Sequence, residues 1–315
     1  MSEKKKLIIL TGPTAVGKTS LSIQLAKKLN GEIISADSAQ VYHYMNIGSA
    51  KIMPEEMEGI PHHLVDVLDP KEAFDVYTFQ QLAKKALDEI YAKGKIPIIV
   101  GGTGFYIQAL LYDIDFTTSL EEEEGQLRKE LEALGATKGA TYLHERLRSL
   151  DEESANQIHP NNMKRVIRAI EYCETTGNKF SEHNEEQRQK ESPYDFYYFV
   201  LNDERSVLYE RIEKRVDIMV EQGLIEEVRS LKDMGLSREY VSMQALGYKE
   251  ILDYLDNKIT LEEAIYTLKR DTRHFAKRQL TWFRREKDVI WVDKDNFDRD
   301  EDKILDYMIS KIETR

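Results

Sequence analysis

Cysteine and long hydrophobic runs are largely missing from this sequence. Its one cysteine among 315 residues is Cys173, which excludes an internal disulfide framework and a cysteine-rich zinc module. No stretch approaches the roughly 18 apolar residues of a membrane span. The apolar run after the basic N-terminus is Leu7–Leu10, too short for the core of a signal peptide. We therefore expect a cytoplasmic globular protein with no membrane role.

The sequence also has fewer basic than acidic residues. The 45 Lys and Arg against 57 Asp and Glu leave a formal net charge of −12, whereas nucleic-acid-binding proteins usually present a positive surface. The basic residues are clustered, however, because Lys269–Lys287 contains eight Lys or Arg and two acidic residues. Since local charge decides where a polyanion binds, an RNA-binding face remains compatible with this composition.

The apolar pattern predicts a parallel sheet. Short apolar runs predict strands at Leu7–Leu10, Glu32–Ala36, Ile96–Val100, Phe196–Leu201 and Val289–Val292. Helical periodicity follows the first strand, at Leu21, Leu25 and Leu29, and a second helix is predicted at Thr78–Lys93. Continuous apolar strands that alternate with helices are typical of a sheet covered on both faces.

The middle of the chain has a different character. Residues 113–192 are highly charged, show helical patterns and contain no convincing strand. We predict an α/β fold, a P-loop NTPase-like parallel sheet flanked by helices, with an inserted all-helical domain. Residues 1–112 and 193–315 form the core in this prediction, and 113–192 form the insertion. The polar segment Gly177–Pro193 is predicted as its mobile connection.

The strongest motif follows the first predicted strand. The residues Gly12, Pro13, Thr14, Ala15, Val16, Gly17, Lys18 and Thr19 match the pattern G-x-x-x-x-G-K-[ST]. The glycines let backbone N–H groups converge on a phosphate, and the start of the following helix adds its positive end. Lys18 is expected to reach the distal phosphate and Thr19 to hold Mg²⁺. We predict that a di- or triphosphate binds here.

A carboxylate is expected on the same edge of the sheet. An ATPase or GTPase of this class carries an Mg²⁺-holding Asp after a further apolar strand, but Ile96–Val100 is followed by Gly101–Gly104. Asp37 instead follows Glu32–Ala36, where the carboxyl ends of parallel strands meet. It could hold metal-bound water or accept a proton from an acceptor substrate. A structural role as a helix cap is the alternative.

Several segments together carry a family resemblance. They are Gly12–Thr19, Asp37–Tyr42, Gly101–Tyr106, Gln244–Lys249 and Lys277–Trp282. In order and spacing they resemble bacterial tRNA dimethylallyltransferases, and the resemblance covers nearly the whole chain. It implies a P-loop core with an inserted helical domain, Mg²⁺ as cofactor, dimethylallyl diphosphate as donor and adenine 37 beside the tRNA anticodon as acceptor. No protein partner is implied, and the zinc finger of eukaryotic relatives is missing.

The resemblance also implies roles for particular residues. Asp37 is the general base on the adenine N6, Thr103 contacts the substrate, and Lys18 and Arg215 act on the diphosphate. The tRNA-binding residues that it implies are Asp37, Ser38, Ala39, Gln40, Thr103, Arg128, Lys164, Arg165, Val166, Ile167, Arg168, Gln244, Ala245, Leu246, Gly247, Tyr248, Lys249 and Arg278.

The periodicity of one segment agrees with such a role. Lys164 and Arg168 lie four residues apart, while Val166, Ile170 and Cys173 fall on the other side of the predicted helix. A basic stripe opposite an apolar one suits phosphate contacts, and an ordinary solvated face is the alternative.

Other functions use the same loop. A small-molecule kinase would hold ATP there, but it would need a short lid rather than about 80 inserted residues. A prenyltransferase acting on free adenine nucleotides would not need the segments that the resemblance assigns to tRNA binding. A non-catalytic RNA-binding module would not need Lys18 and Thr19. Transfer of a dimethylallyl group to tRNA is therefore the predicted function.

Overall fold

The computed structural model describes residues 4–116 and 122–314 of the chain. The chain divides into two compact units. The first consists of Met1–Leu110 together with Pro193–Arg315, and the second consists of Leu111–Ser192.

The first unit is built on a parallel sheet. Its strands within the described residues are Lys5–Thr11 (β1), Gly31–Ala36 (β2), His62–His63 (β3), Ile96–Gly101 (β4), Tyr194–Asn202 (β5) and Val289–Asp293 (β6). Their order across the sheet is β3-β2-β4-β1-β5-β6, and each of these pairings is parallel. The predicted fold class is confirmed.

The helices alternate with these strands and fill the middle of the chain. They are Lys18–Leu29 (α1), Val76–Ala92 (α2), Gly104–Leu111 (α3), Glu122–Lys138 (α4), Ala140–Leu150 (α5), Glu152–Gln157 (α6), Met163–Thr176 (α7), Phe180–Gln189 (α8), Arg205–Glu221 (α9), Leu224–Asp233 (α10), Tyr248–Leu255 (α11), Leu261–Phe283 (α12) and Glu301–Glu313 (α13). Short 3₁₀ turns occur at Pro54–Met57, Ser242–Gln244 and Lys294–Phe297.

Local chemistry sets several of these bounds. α2 begins two residues before the predicted Thr78 because the Asp75 carboxylate accepts the Thr78 N–H at 2.8 Å and caps the helix. α12 begins after Thr260, which forms a capping box with Glu263. Strand β3 was missed by the sequence pattern, since two residues are too short for a periodic signal.

The core of the first unit lies on the faces of the central strands. Ile8 and Leu10 of β1 have no exposed surface, and they belong to one cluster with Leu25 of α1 and with Ile304 and Met308 of α13. Burial on both faces explains why the strands read as continuous apolar runs rather than as alternating ones. The last helix of the chain thus packs into the same core as the first.

The second unit is helical and has its own core. The helices α4 to α8 surround a cluster of buried side chains that includes Leu131, Leu147 and Ile170. The segment Gly177–Pro193, predicted as a mobile connection, contains α8 over Phe180–Gln189, and its mobility stays a prediction. Phe180 is buried at the start of that helix, and the Asp151 carboxylate accepts both the N–H and the hydroxyl of the next residue, Ser181.

Within residues 4–116 and 122–314, no helix combines the length and apolarity that a membrane span requires.

Candidate active site and nucleic-acid interface

The loop Gly12–Thr19 connects β1 to α1 at the carboxyl edge of the sheet. Gly17 has φ +93°, in the left-handed region that glycine adopts without strain. Gly12 has φ +148°, and a Cβ atom there would lie 2.4 Å from the Leu201 carbonyl oxygen. The motif therefore needs glycine at both positions so that the loop can turn close against β5.

Lys18 is held inside this loop. Its Nζ donates to the Gly12 and Pro13 carbonyl oxygens, each at 2.9 Å. The pKa of Lys18 is lowered from 10.5 to about 7, mainly by loss of hydration and also by the positive charge of Arg215, while the Asp37 carboxylate opposes the shift. An anion that binds in the loop would restore the charged form, as a phosphate-binding lysine requires.

Arg215 lies on α9 beside the loop. Its Nη1 is 3.5 Å from the Thr14 hydroxyl oxygen. Burial lowers the pKa of Arg215, and the negative charge of Asp37 raises it. The structure thus brings Arg215 next to the P-loop, although the two segments are separated by about 200 residues in sequence.

Asp37 stands directly after β2. Its Oδ1 accepts the N–H groups of Ala39 at 2.8 Å and Gln40 at 3.3 Å, which fixes the carboxylate in a turn. Among the described residues, none donates a hydrogen bond to its Oδ2. Asp37 lines one cavity with Lys18 and Thr19, so the structural role in the turn and the chemical role in the cavity are compatible.

Thr103 follows β4 next to the same edge. Its N–H donates to the Ala36 carbonyl at 3.3 Å, which places it beside the residue that precedes Asp37. A Cβ atom at Gly101 would lie 2.2 Å from the same Ala36 oxygen. The glycine at position 101 therefore allows the ends of β2 and β4 to approach closely.

Gln279 of α12 was not predicted as an individual site residue. It is 5% exposed, its Oε1 accepts the Thr14 N–H at 2.9 Å, and its Nε2 donates to the Gly102 carbonyl at 3.0 Å. One sequence signal could have found it. Gln279 is a neutral amide inside a basic segment, and its helical spacing puts it on the same buried face of α12 as Ala276 and Phe283.

The segment Asp37–Gln40 is partly accessible. Ser38 is exposed, whereas Ala39 and Gln40 are half-buried. The Gln40 Nε2 donates to the Ala50 carbonyl at 3.1 Å, which ties the turn to the following loop. Ser38 is the member of this segment whose side chain is most open to a macromolecular acceptor.

The segment Gln244–Lys249 is only partly suited to the predicted tRNA contact. Gln244 is exposed and Lys249 is half-buried, as are Ala245 and Leu246, but Gly247 and Tyr248 are buried. The side chain of Tyr248 is inside the core, with its hydroxyl bonded to Glu227. That side chain therefore does not face solvent, and the tRNA contact predicted for Tyr248 stays a prediction.

The basic stripe of the second unit lies on α7. Lys164, Arg165 and Arg168 are exposed, while Val166 and Ile167 belong to the helical core. Their side chains are buried because one face of an amphipathic helix packs on the core, and the tRNA contact predicted for Val166 and Ile167 stays a prediction. The basic side chains remain candidates.

Arg128 lies on α4, and its Nη2 pairs with the Glu171 carboxylate. Its side chain is nevertheless 46% exposed. Contact with a phosphate would require it to share or leave that carboxylate.

A basic groove runs along the last turns of α12. It has a volume of about 390 Å³ and is lined by His274, Lys277, Arg278, Thr281, Trp282 and Arg285. Arg278, predicted as a tRNA contact, is exposed there. A concave surface with three permanent cations and an aromatic ring suits a phosphate backbone and an unpaired base.

Comparisons with known proteins agree on one family. A family model described as IPP transferase matches residues 40–286. A curated tRNA dimethylallyltransferase of Lachnoclostridium phytofermentans is 62% identical over 294 residues, which cover 93% of either protein.

Solved structures give the same answer. The full-length tRNA isopentenylpyrophosphate transferase of Bacillus halodurans aligns with a TM-score of 0.73 at 48% identity, over 99% of this chain and 98% of that one. A eukaryotic dimethylallyltransferase acting on tRNA aligns with a TM-score of 0.79 at 33% identity, over 92% of this chain and 74% of that one.

Proposed function

The chain belongs to the IPP transferase family, and we propose that it transfers the dimethylallyl group of dimethylallyl diphosphate to N6 of adenine 37, beside the tRNA anticodon, with release of diphosphate. The observation that carries this proposal is that Lys18, Thr19 and Asp37 line one cavity. A loop for the leaving diphosphate and a carboxylate for the acceptor amine are the two parts that this transfer needs. The family comparisons favour it over a kinase and over transfer to free adenine nucleotides.

Asp37 serves as the general base in this proposal. The adenine N6 attacks C1 of the allylic chain, the C1–O bond breaks with its electron pair moving to the diphosphate, and the amine proton passes to Asp37. A positioned base contributes about 10²–10⁴-fold to rate. The N–H groups of Ala39 and Gln40 hold Oδ1, so Oδ2 is the oxygen that takes the proton. In this proposal Thr103, whose N–H bonds to the carbonyl of the residue before Asp37, orients the acceptor.

The leaving group defines the other half of the reaction. Negative charge grows on the diphosphate as the C1–O bond breaks, and fixed positive groups stabilise that charge more than they stabilise the ground state. Lys18, the P-loop N–H groups and Arg215 are the groups available. Because Arg215 contacts Thr14 at 3.5 Å, it is within reach of a phosphate bound in the loop.

The residues of this cavity fit an Mg²⁺ ion that binds together with the diphosphate substrate. Among the described residues, no group of three or more His, Cys, Asp or Glu could form a complete protein cage. Thr19 and Asp37 offer oxygen donors at one cavity, and Mg²⁺ ordinarily binds through few protein oxygens together with phosphate and water. Thr19 would hold the ion, which would supply further neutralisation of the diphosphate.

The acceptor must be presented as an extruded base. Taking a base out of the stack costs a few kcal/mol, and least where the nucleic acid is already single-stranded. We propose that residues 1–112 and 193–315 act as the catalytic core, and that residues 113–192 add tRNA contacts through Lys164, Arg165 and Arg168. Because tRNA is the acceptor, cytoplasmic localisation is part of this proposal.

A prenylation assay read by mass spectrometry tests the proposed function directly. The protein is incubated with dimethylallyl diphosphate, Mg²⁺ and an unmodified anticodon stem-loop, and the RNA is examined by mass spectrometry. A five-carbon addition at the adenine beside the anticodon is expected. Addition to free AMP but not to the RNA would instead support a nucleotide prenyltransferase, and consumption of ATP with a small acceptor would support a kinase.

A further inference from the structure

Two loops of the active site are joined by one side chain. The donor loop is Gly12–Thr19, and the acceptor loop is Gly101–Gly104, which contains Thr103. Gln279 accepts the N–H of Thr14 in the donor loop at 2.9 Å and donates to the carbonyl of Gly102 in the acceptor loop at 3.0 Å. The planar amide of Gln supplies a neutral acceptor and a neutral donor at the same time, as this double contact requires.

The close packing of α12 on the acceptor loop supports this arrangement. A Cβ atom at Gly102 would lie 2.1 Å from the Gln279 Nε2, and one at Gly104 would lie 2.2 Å from the Trp282 Cδ1. The side chains of one turn of α12 therefore lie directly against the acceptor loop. A helix that is packed on both loops is more rigid than the loops themselves.

We propose that Gln279 is a positioning residue that sets the spacing between the donor loop and the acceptor loop, and this inference rests on the proposed function. It touches neither substrate, since it is buried and both of its polar atoms bond to backbone. Its action is to hold the diphosphate cradle and Thr103 at the separation at which N6 and C1 can react. Misplacement by about 1 Å can cost on the order of 10²-fold in rate.

Two substitutions separate positioning from packing. Gln279→Met keeps the apolar stem and removes both hydrogen bonds, and we expect kcat to fall by about 10- to 100-fold. Gln279→Glu can restore both bonds only when its carboxyl is protonated, because an ionised carboxylate accepts but does not donate. Because burial raises the pKa of a carboxyl group, the ratio of its kcat to that of the wild type should rise as pH falls, while the Gln279→Met ratio stays flat.

Gln80 provides the matched control. It is also a buried glutamine, 2% exposed, and its Nε2 donates to the Ala109 carbonyl at 2.8 Å. Gln80→Met loses a buried hydrogen bond as Gln279→Met does, but that bond goes to Ala109 in α3 and not to the donor loop or the acceptor loop. We expect kcat of Gln80→Met to stay within about twofold of the wild type at temperatures well below unfolding.

The outcomes distinguish this inference from the proposed function. A wild-type protein that adds no five-carbon group to RNA would contradict the proposed function. An active wild type with equal kcat losses in Gln279→Met and Gln80→Met, or with a pH-independent Gln279→Glu ratio, would overturn the role of Gln279 alone. If Gln279→Met does not fold, the Gln279→Glu pH profile still decides. Stem-loop affinity should remain near wild type in all variants, and a parallel loss would place Gln279 in RNA binding.

Discussion

The Tyr248 hydroxyl donates a 2.8 Å hydrogen bond to the Glu227 carboxylate inside the first unit. The same hydroxyl accepts the N–H of Ser49 at 3.1 Å, and Glu227 also accepts the N–H groups of Asn46, Ile47 and Gly48. Burial raises the pKa of Tyr248 well above its ordinary value, so the hydroxyl stays protonated and can donate. Helices α10 and α11 thus hold the loop that follows Asp37–Gln40.

Tyr248→Phe should lower stability without weakening RNA binding. It leaves the Ser49 N–H without its acceptor and Glu227 without one donor, at a cost of about 1–3 kcal/mol. Urea unfolding measures the change. Tyr266→Phe is the control, because Tyr266 is 63% exposed and should stay within about 0.5 kcal/mol. A loss of stem-loop affinity in Tyr248→Phe, as large as that in Gln244→Ala, would show that the Tyr248 side chain does reach RNA.

Asp37→Asn should abolish the base while keeping the turn. The amide oxygen can still accept the N–H groups of Ala39 and Gln40, but it cannot take the amine proton. We expect single-turnover transfer to slow by about 10²–10⁴-fold, with stem-loop affinity almost unchanged.

Asp300 offers a control with the same local geometry. Its carboxylate accepts the N–H groups two and three residues ahead, as that of Asp37 does. Asp300→Asn should leave transfer near the wild-type rate. Near-normal transfer by Asp37→Asn would remove Asp37 from the role of base.

The pKa of Lys18, lowered to about 7, makes diphosphate binding sensitive to pH. Above that value the free protein loses the charge that the anion needs, so pyrophosphate affinity should fall as pH rises. Lys18→Arg should lack this component, because guanidinium stays protonated. Calorimetric titrations in buffers of different ionisation enthalpy would show proton uptake in the wild type alone. Equal proton uptake by both proteins would assign the titration to another group.

Lys18 also affects stability with a definite sign. Its pKa is lower in the folded protein than its ordinary value of 10.5, so the unfolded chain binds more protons between those two values. Its contribution therefore makes stability rise with pH from about 7 to about 10.5. Unfolding of Lys18→Met should show a flatter dependence over that range, and an unchanged slope would contradict the lowered pKa.

Arg168→Ala should reveal whether the basic stripe on α7 binds RNA despite the net charge of −12. Each phosphate contact contributes about 0.7–0.9 to the slope of log K against log salt. Loss of one contact should weaken binding to any anticodon stem-loop alike and reduce that slope by roughly one. Lys179→Ala removes an exposed charge of the same unit outside the stripe and should not change the slope. Parallel slopes with equal affinities for Arg168→Ala and wild type would make the stripe an ordinary solvated face.

Local features determined much of this protein from sequence. The P-loop could be predicted from sequence because its glycines adopt backbone conformations that other residues rarely adopt. This requirement is local and does not depend on distant residues. Strands β1, β2, β4 and β5 could be predicted because burial on both faces makes them continuously apolar. The half-buried edge strand β6 could be predicted from its short apolar run. The position of Asp37 at the sheet edge followed from its place after β2, since parallel strands end on one side. The family resemblance added the expected roles of Arg215 and Thr103.

The tertiary structure alone decided which side chains of those segments are accessible and which hold others in place. Tyr248, Val166 and Ile167 lie inside cores, and a motif written as a continuous segment does not show which face of its helix is buried. Gln279 reaches Thr14 across 265 residues of sequence. Such a bond depends on how α12 packs against two loops. The periodicity of the sequence predicts helices and strands but does not show which distant segments pack together.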